Sequence, residues 1–133
     1  MSQTLFEPMI GQLQRVLDLR VAQHGMSASN LANANTPNYK ARSVDFSRSL
    51  SDAMERPGAG LSMERTAAGH IGGRRGEETA MEILEAEAPP WSADGNSVNA
   101  EEESARMMEN TLAFKALSKM LKKEFEHLST AVG

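Results

Sequence analysis

Cysteine is absent from the 133-residue chain. Its absence excludes disulfide stapling, thiolate catalysis and Cys-based zinc sites, and leaves the compartment open. Aromatic residues are scarce, at 5% with one Trp and one Tyr. A core must then be built mostly from Leu, Met and Ala, which suits helices better than a sandwich or barrel. No apolar run approaches the roughly 18–20 residues needed to cross a bilayer, so a membrane-inserted protein is not expected. The N-terminal stretch has no basic region leading into an apolar one and no small-residue cleavage site, so no cleaved secretory signal is expected. A basic surplus is also lacking. The net charge of −4 and the pI near 5.4 speak against a general nucleic-acid binder.

What is present divides the chain into three segments of a single structural domain. Residues 1–50 carry five basic and three acidic residues, residues 51–92 four and eight, and residues 93–133 five and seven. In the first segment Phe6, Met9, Ile10, Leu13, Val16, Leu17 and Val21 recur at spacings of three and four, the stripe of an α-helix. Pro8 belongs in its first turn, which predicts a start near Glu7, and good helix formers carry it to about Ala32, with Gly25 as its weak point.

The last segment predicts a coiled-coil helix that packs with the first. Met107, Phe114, Leu121 and Leu128 repeat every seven residues, with Asn110 or Thr111, Leu117 and Phe125 between them. Met108, Leu112, Ala116 and Met120 add a second apolar stripe, wide enough to touch more than one partner helix. Asn99 is the predicted N-cap, with Glu102 completing a capping box. The middle, 51–92, is Gly-rich from Gly58 to Gly76 and poor in large apolar groups, which predicts a flexible insert. Met81, Ile83 and Leu84 ahead of Pro89, Pro90 and Trp91 predict a short extended element. The fold class is therefore mainly α: paired terminal helices, an Asn-rich turn and a partly extended or disordered middle.

Catalytic and cofactor readings find little support. His24, His70 and His127 lack metal-ligand spacing, and a helix-end histidine explains the last. Glu101–Glu103 is the acidic first turn that a helix dipole favours. Gly72-Gly73-Arg74-Arg75-Gly76 lacks both the P-loop Lys–Ser/Thr and interleaved aromatics. No enzyme activity, cofactor or metal is expected.

The segment from Ser27 to Ala41, SASNLANANTPNYKA, is over-specified for a helix end. Asn30, Asn33, Asn35 and Asn38 fall within nine residues; such side chains satisfy local backbone groups and tolerate left-handed turns. Thr36-Pro37 imposes an extended Thr36, and Tyr39 offers an apolar ring with a polar tip. The segment resembles the ASN-[IL]-ANANTPGYK signature of the bacterial flagellar rod, hook and related axial proteins. Asp94-Gly95-Asn96-Ser97-Val98-Asn99, followed by Glu102 or Glu103, Asn110, Leu112 and Phe114, resembles the DGN-[TS]-V-[DN] stretch and helix that close the same family. Asn38 stands where the family has Gly, and Phe114 where it often has Tyr.

Within that family, length and the short insert match a proximal rod component. The resemblance implies a structural subunit of the basal body in the periplasmic space, exported by the flagellar type III apparatus without a cleaved signal. Such a subunit self-assembles through terminal helices into a helical drive-shaft tube. Its implied partners are other copies of itself, other rod proteins, and membrane-ring and export-gate or rod-adaptor components at the rod base. The expected assembly interface comprises Ser29, Asn30, Leu31, Asn33, Asn35, Thr36, Pro37, Tyr39, Asp94, Gly95, Asn96, Val98, Asn110, Phe114, Leu117, Leu121 and Phe125. The alternative is a soluble helical chaperone or adaptor that binds a partner's amphipathic helix. It uses the same apolar stripes but gives no reason for the Asn-rich segment.

Overall fold

The computed structural model describes residues 3–55, 61–63 and 79–133. Among them the order is α1 (Gln3–Ala32), β1 (Arg42–Val44), α2 (Phe46–Glu55), β2 (Leu61–Met63), β3 (Thr79–Met81), β4 (Ile83–Glu85) and α3 (Ala100–Val132). The chain is mainly helical. α1 and α3 run antiparallel: Asn30 near the end of α1 meets Glu103 near the start of α3, and Arg20, earlier in α1, meets Asn110 further along α3.

α1 begins at Gln3, not near Glu7, and holds Pro8 inside it. The ring forfeits only the bond from residue 8 to the carbonyl of Thr4, beside the helix start, so the helix tolerates it. α3 starts where expected. The Asn99 side chain accepts hydrogen bonds from the backbone N–H groups of Glu101 and Glu102 at 3.1 and 3.2 Å. The reciprocal half of the capping box is not made, because Arg106, one turn on, takes the Glu102 carboxylate.

Along α3 the buried or half-buried residues are Glu103, Met107, Asn110, Thr111, Ala113, Leu117, Ser118, Leu121, Glu124 and Leu128. Phe114, expected in this seam, is 38% exposed at its edge, and Phe125, also expected there, is 50% exposed. Two successive steps of four, 117 to 121 to 125, rotate it roughly 80° off the line at about 100° per residue, and Glu124 takes its place.

The most deeply buried apolar residues lie on another side of α1. Leu19 and Met26 pack against Val44 of β1 and Met81 of β3, with Ala22, Phe46, Leu50 and Ile83 around them. α2, which sequence spacing did not flag, is started by Asp45: its Oδ1 accepts the Arg48 N–H at 3.1 Å. The helix presents Phe46 and Leu50 to the core and straddles the boundary at residues 50 and 51. The extended element expected around Met81 and Ile83 is present as β3 and β4. β4 pairs antiparallel with β1, Arg42 opposite Glu85 and Val44 opposite Ile83, while β2 and β3 pair in parallel. Ion pairs Lys40–Glu87 (2.8 Å), Arg42–Glu85 (3.2 Å) and Arg48–Glu82 (2.8 Å) run along this ribbon. Pro57, His70 and the Gly72–Gly76 run lie outside the described residues.

Candidate functional site

Asn30 is wholly buried on α1 and uses both faces of its amide. Nδ2 donates to the Arg42 carbonyl at 2.7 Å and to Glu103 Oε1 at 3.1 Å. Oδ1 accepts the Arg42 N–H at 2.9 Å and the Tyr39 hydroxyl at 3.4 Å. An amide offers two donors and two acceptor lone pairs, so Asn30 is fully satisfied. It ties three elements together: α1, β1 and the first turn of α3. Gln23 continues the pattern, its Oε1 accepting the Val44 N–H at 3.1 Å. One edge of β1 is therefore paired with β4 and the other with amide side chains of α1, which leaves no open edge on this strand.

Asn96 does the same for the end of α1. Its Nδ2 lies 2.9, 3.0 and 2.8 Å from the carbonyl oxygens of Asn33, Ala34 and Thr36. These carbonyls lie at and just past the helix C-terminus, where no intrahelical partner exists. Asn96 Oδ1 accepts the Val98 N–H at 2.7 Å, and Asp94 Oδ1 accepts the Asn96 N–H at 3.1 Å, two successive side-chain turns that fix the loop. Backbone bonds from Asn38 N–H to the Asp94 carbonyl (2.8 Å) and from Ser97 N–H to the Tyr39 carbonyl (3.0 Å) join the two segments. Ser97 Oγ accepts the Ala41 N–H at 2.7 Å.

The close approach sets two backbone conformations. Asn38 has φ 59° and Gly95 φ 73°. Asn thus takes the left-handed position that its replacement of Gly requires. A Cβ on Gly95 would stand 2.5 Å from Asn38 Oδ1.

The predicted residues thus separate into inward and outward groups. Asn30 and Asn96 face inward, with their polar atoms engaged inside the chain. Asn33 bonds locally, Nδ2 to the Ser29 carbonyl at 2.8 Å and Oδ1 to Thr36 Oγ1 at 3.1 Å. Ser29 Oγ and Tyr39 Oη share a hydrogen bond of 3.3 Å. Asn35, Thr36 and Pro37 are exposed, Leu31, Gly95 and Val98 are half-buried, and Asp94 is exposed. Asn110 is buried in the α1–α3 seam, where its Nδ2 donates to the Arg20 carbonyl at 2.6 Å. Phe114, Leu117, Leu121 and Phe125 lie along α3, away from the corner.

Gln23 and Ser97 belong to the same network and were not singled out from sequence, while Glu103, noted after the second motif, was given no role in it. Ser97 lay inside the second motif, yet nothing in one sequence says which backbone N–H a serine will meet. Outside the seam, Met108, Leu112 and Met120 of α3 are 70%, 63% and 56% exposed. Among the described residues no group of His, Cys, Asp or Glu is placed to hold a metal ion. No described helix is long and apolar enough to cross a membrane.

The chain is 34% identical to the flagellar basal body rod protein FlgB of Yersinia ruckeri over 76% of each chain. It is 32% identical to that of Cereibacter sphaeroides over 97% of each chain. The chain belongs to the FlgB family of flagellar basal body rod proteins. The corresponding protein of Aeromonas hydrophila is 27% identical over 96% of this chain. No protein-family model matches the chain. A match spanning 97% of an FlgB relative runs through both the Asn-rich segment and the Asp94–Asn99 segment. The corner they build is therefore placed within the span that the chain shares with that relative.

Proposed function

We propose that this chain is a structural subunit of the proximal rod, non-catalytic and cofactor-free, that self-assembles through its terminal helices into the helical tube of the drive shaft. The observation that carries this reading is the outer face of α3. Met108, Leu112 and Met120 stand more than half exposed on a helix whose opposite face already packs on α1. A contiguous apolar stripe left in water marks a surface that another protein covers. In an assembly whose contacts do not close, that cover comes from neighbouring copies and other rod proteins.

In this reading α1 and α3 act as a coiled-coil pair, with Asn110 fixing their register at some cost in stability. The Asn-rich turn redirects the chain across the outside of the pair. Asn30, Asn33, Gly95 and Asn96 hold the corner in shape, and Asn35, Thr36 and Pro37 are the part of it offered to neighbours. Phe114, Leu117, Leu121 and Phe125 carry helix packing. Residues 51–92 form an insert between the two terminal segments. The subunit leaves the cytoplasm through the flagellar type III apparatus without a cleaved signal and meets the membrane ring and export-gate components at the rod base.

The test is mass spectrometry of detergent-purified hook–basal bodies with and without the gene. The chain is expected in the particle, and the rod is expected to be lost with it. Intact basal bodies that lack the chain would overturn the reading in favour of a cytosolic adaptor. Leu121→Asp places a charge in the seam and is expected to abolish incorporation and motility; normal swimming by that mutant would refute the packing role.

A further inference from the structure

A shallow, mostly apolar groove of about 270 Å³ lies where α1 meets α3, lined by Arg20, Val21, His24, Asn110, Thr111 and Phe114. Elsewhere the chain holds out the most exposed large apolar side chain among the described residues. Trp91 is the only tryptophan, and it is 85% exposed. It follows Pro89-Pro90 in a turn closed by a bond from the Ser92 N–H to the Pro89 carbonyl at 2.9 Å, and Ser92 Oγ donates to the Asn96 carbonyl at 2.9 Å. From Glu82 to Asp94 the flanking chain carries four acidic residues and no Lys or Arg.

We propose that Trp91 of one copy docks into the α1–α3 groove of the next copy. The proposal rests on the rod reading above and names one of its contacts. A rigidly mounted, solvent-exposed indole is the kind of group that anchors interfaces, because it brings large apolar area at little further entropic cost. The charges are complementary: the acidic loop around Trp91 meets Arg20, whose guanidinium lines the groove and lies 4.3 Å over the Phe46 ring. Knob and groove sit on different parts of the molecule. The Trp91 loop is tied through Asn96 to the end of α1, and the groove lies further down the helix pair. A contact between unlike patches repeats from copy to copy without closing, which is what a helical tube requires.

Because the chain has no cysteine, the contact can be trapped in assembled rods. Cells expressing a mixture of Ala93→Cys chains, which keep Trp91, and Val21→Cys chains would supply hook–basal bodies for treatment with a short bifunctional maleimide. A band at twice the chain's mass, present only when both variants are mixed, is expected. Chains present in the particle but recovered as monomers, or joined to a different rod protein, would overturn the docking and leave the rod reading standing. Absence of the chain from the particle would overturn both. In parallel, Trp91→Ala is expected to lower incorporation at least tenfold with an unchanged circular dichroism spectrum, while Trp91→Phe restores most of it. Full incorporation of Trp91→Ala would count against the proposal.

Discussion

The amides of Asn30 and Asn96 at the corner find their partners inside the chain, whereas along the outer face of α3 large apolar side chains stand in water. The corner joins segments more than sixty residues apart through amide side chains that imitate backbone. α3 is held to the body by one side and leaves the other bare. The difference separates two kinds of requirement. On the proposed rod reading, a corner must hold one shape before assembly, which its internal amide hydrogen bonds provide. On the same proposed reading, a packing face must stay open until a neighbour arrives, which accounts for apolar surface that a lone domain would bury.

Substitutions at the corner should therefore act on the fold, and those on the outer face of α3 on assembly. The largest effect on stability is expected from Asn96→Asp. The change is nearly isosteric, but it replaces two N–H donors with a carboxylate oxygen facing the carbonyls of Asn33, Ala34 and Thr36. Loss of those bonds and the added repulsion should cost about 3 kcal/mol, read as a drop in the urea midpoint. A midpoint equal to wild type would mean that the corner is not held by this amide.

Gly95→Ala should cost about 1–2 kcal/mol for the left-handed backbone alone. The 2.5 Å approach of the new Cβ to Asn38 Oδ1 adds to it. Pairing it with Asn38→Gly relieves the contact but not the backbone strain, so partial rescue in thermal melts is the expected result.

On the other side of the comparison, Met108→Ser combined with Leu112→Ser should change stability by no more than about 0.5 kcal/mol, as exposed positions do. Incorporation into the rod should nevertheless fall sharply. A large loss of stability in the purified chain would show that this face is covered within the monomer.

The smallest effect is the ion pair of Lys40 with Glu87 on the ribbon. The hydrogen bond to the Glu87 carboxylate, and then its charge, raise the Lys40 pKa above its ordinary 10.5. A raised pKa in the folded state means that the contribution is present below the unfolded value and is lost as pH rises through the raised one. Glu87→Gln should flatten the alkaline limb of the melting temperature. Both side chains are in solvent, so the shift will be small.

Much of this was legible in the residues. The two long helices followed from spacing, the start of α3 from Asn99, and the left-handed turn at residue 38 from the choice of Asn. α2 had a readable signal that spacing alone had passed over: Asp45 ahead of Phe46 and Leu50, one cap followed by one apolar face. The place of Phe125 was misjudged because steps of three and of four both read as helical, and only the run of steps decides which side a residue faces. For the candidate site, sequence identified the two Asn-bearing segments but not their meeting.

The sequence by itself determined the local conformations: which stretches are helical, where α3 is capped, and where the backbone turns left-handed. These depend on neighbours within a few residues, so a single chain states them. Only the tertiary structure decided that Asn30 and Asn96 face inward while Asn35, Thr36 and Pro37 face out. It also decided that the buried core gathers Leu19, Met26, Val44 and Met81 around α1. An amide bonds a carbonyl from α1, from a strand or from another subunit equally well, and only the packing of distant segments selects among them.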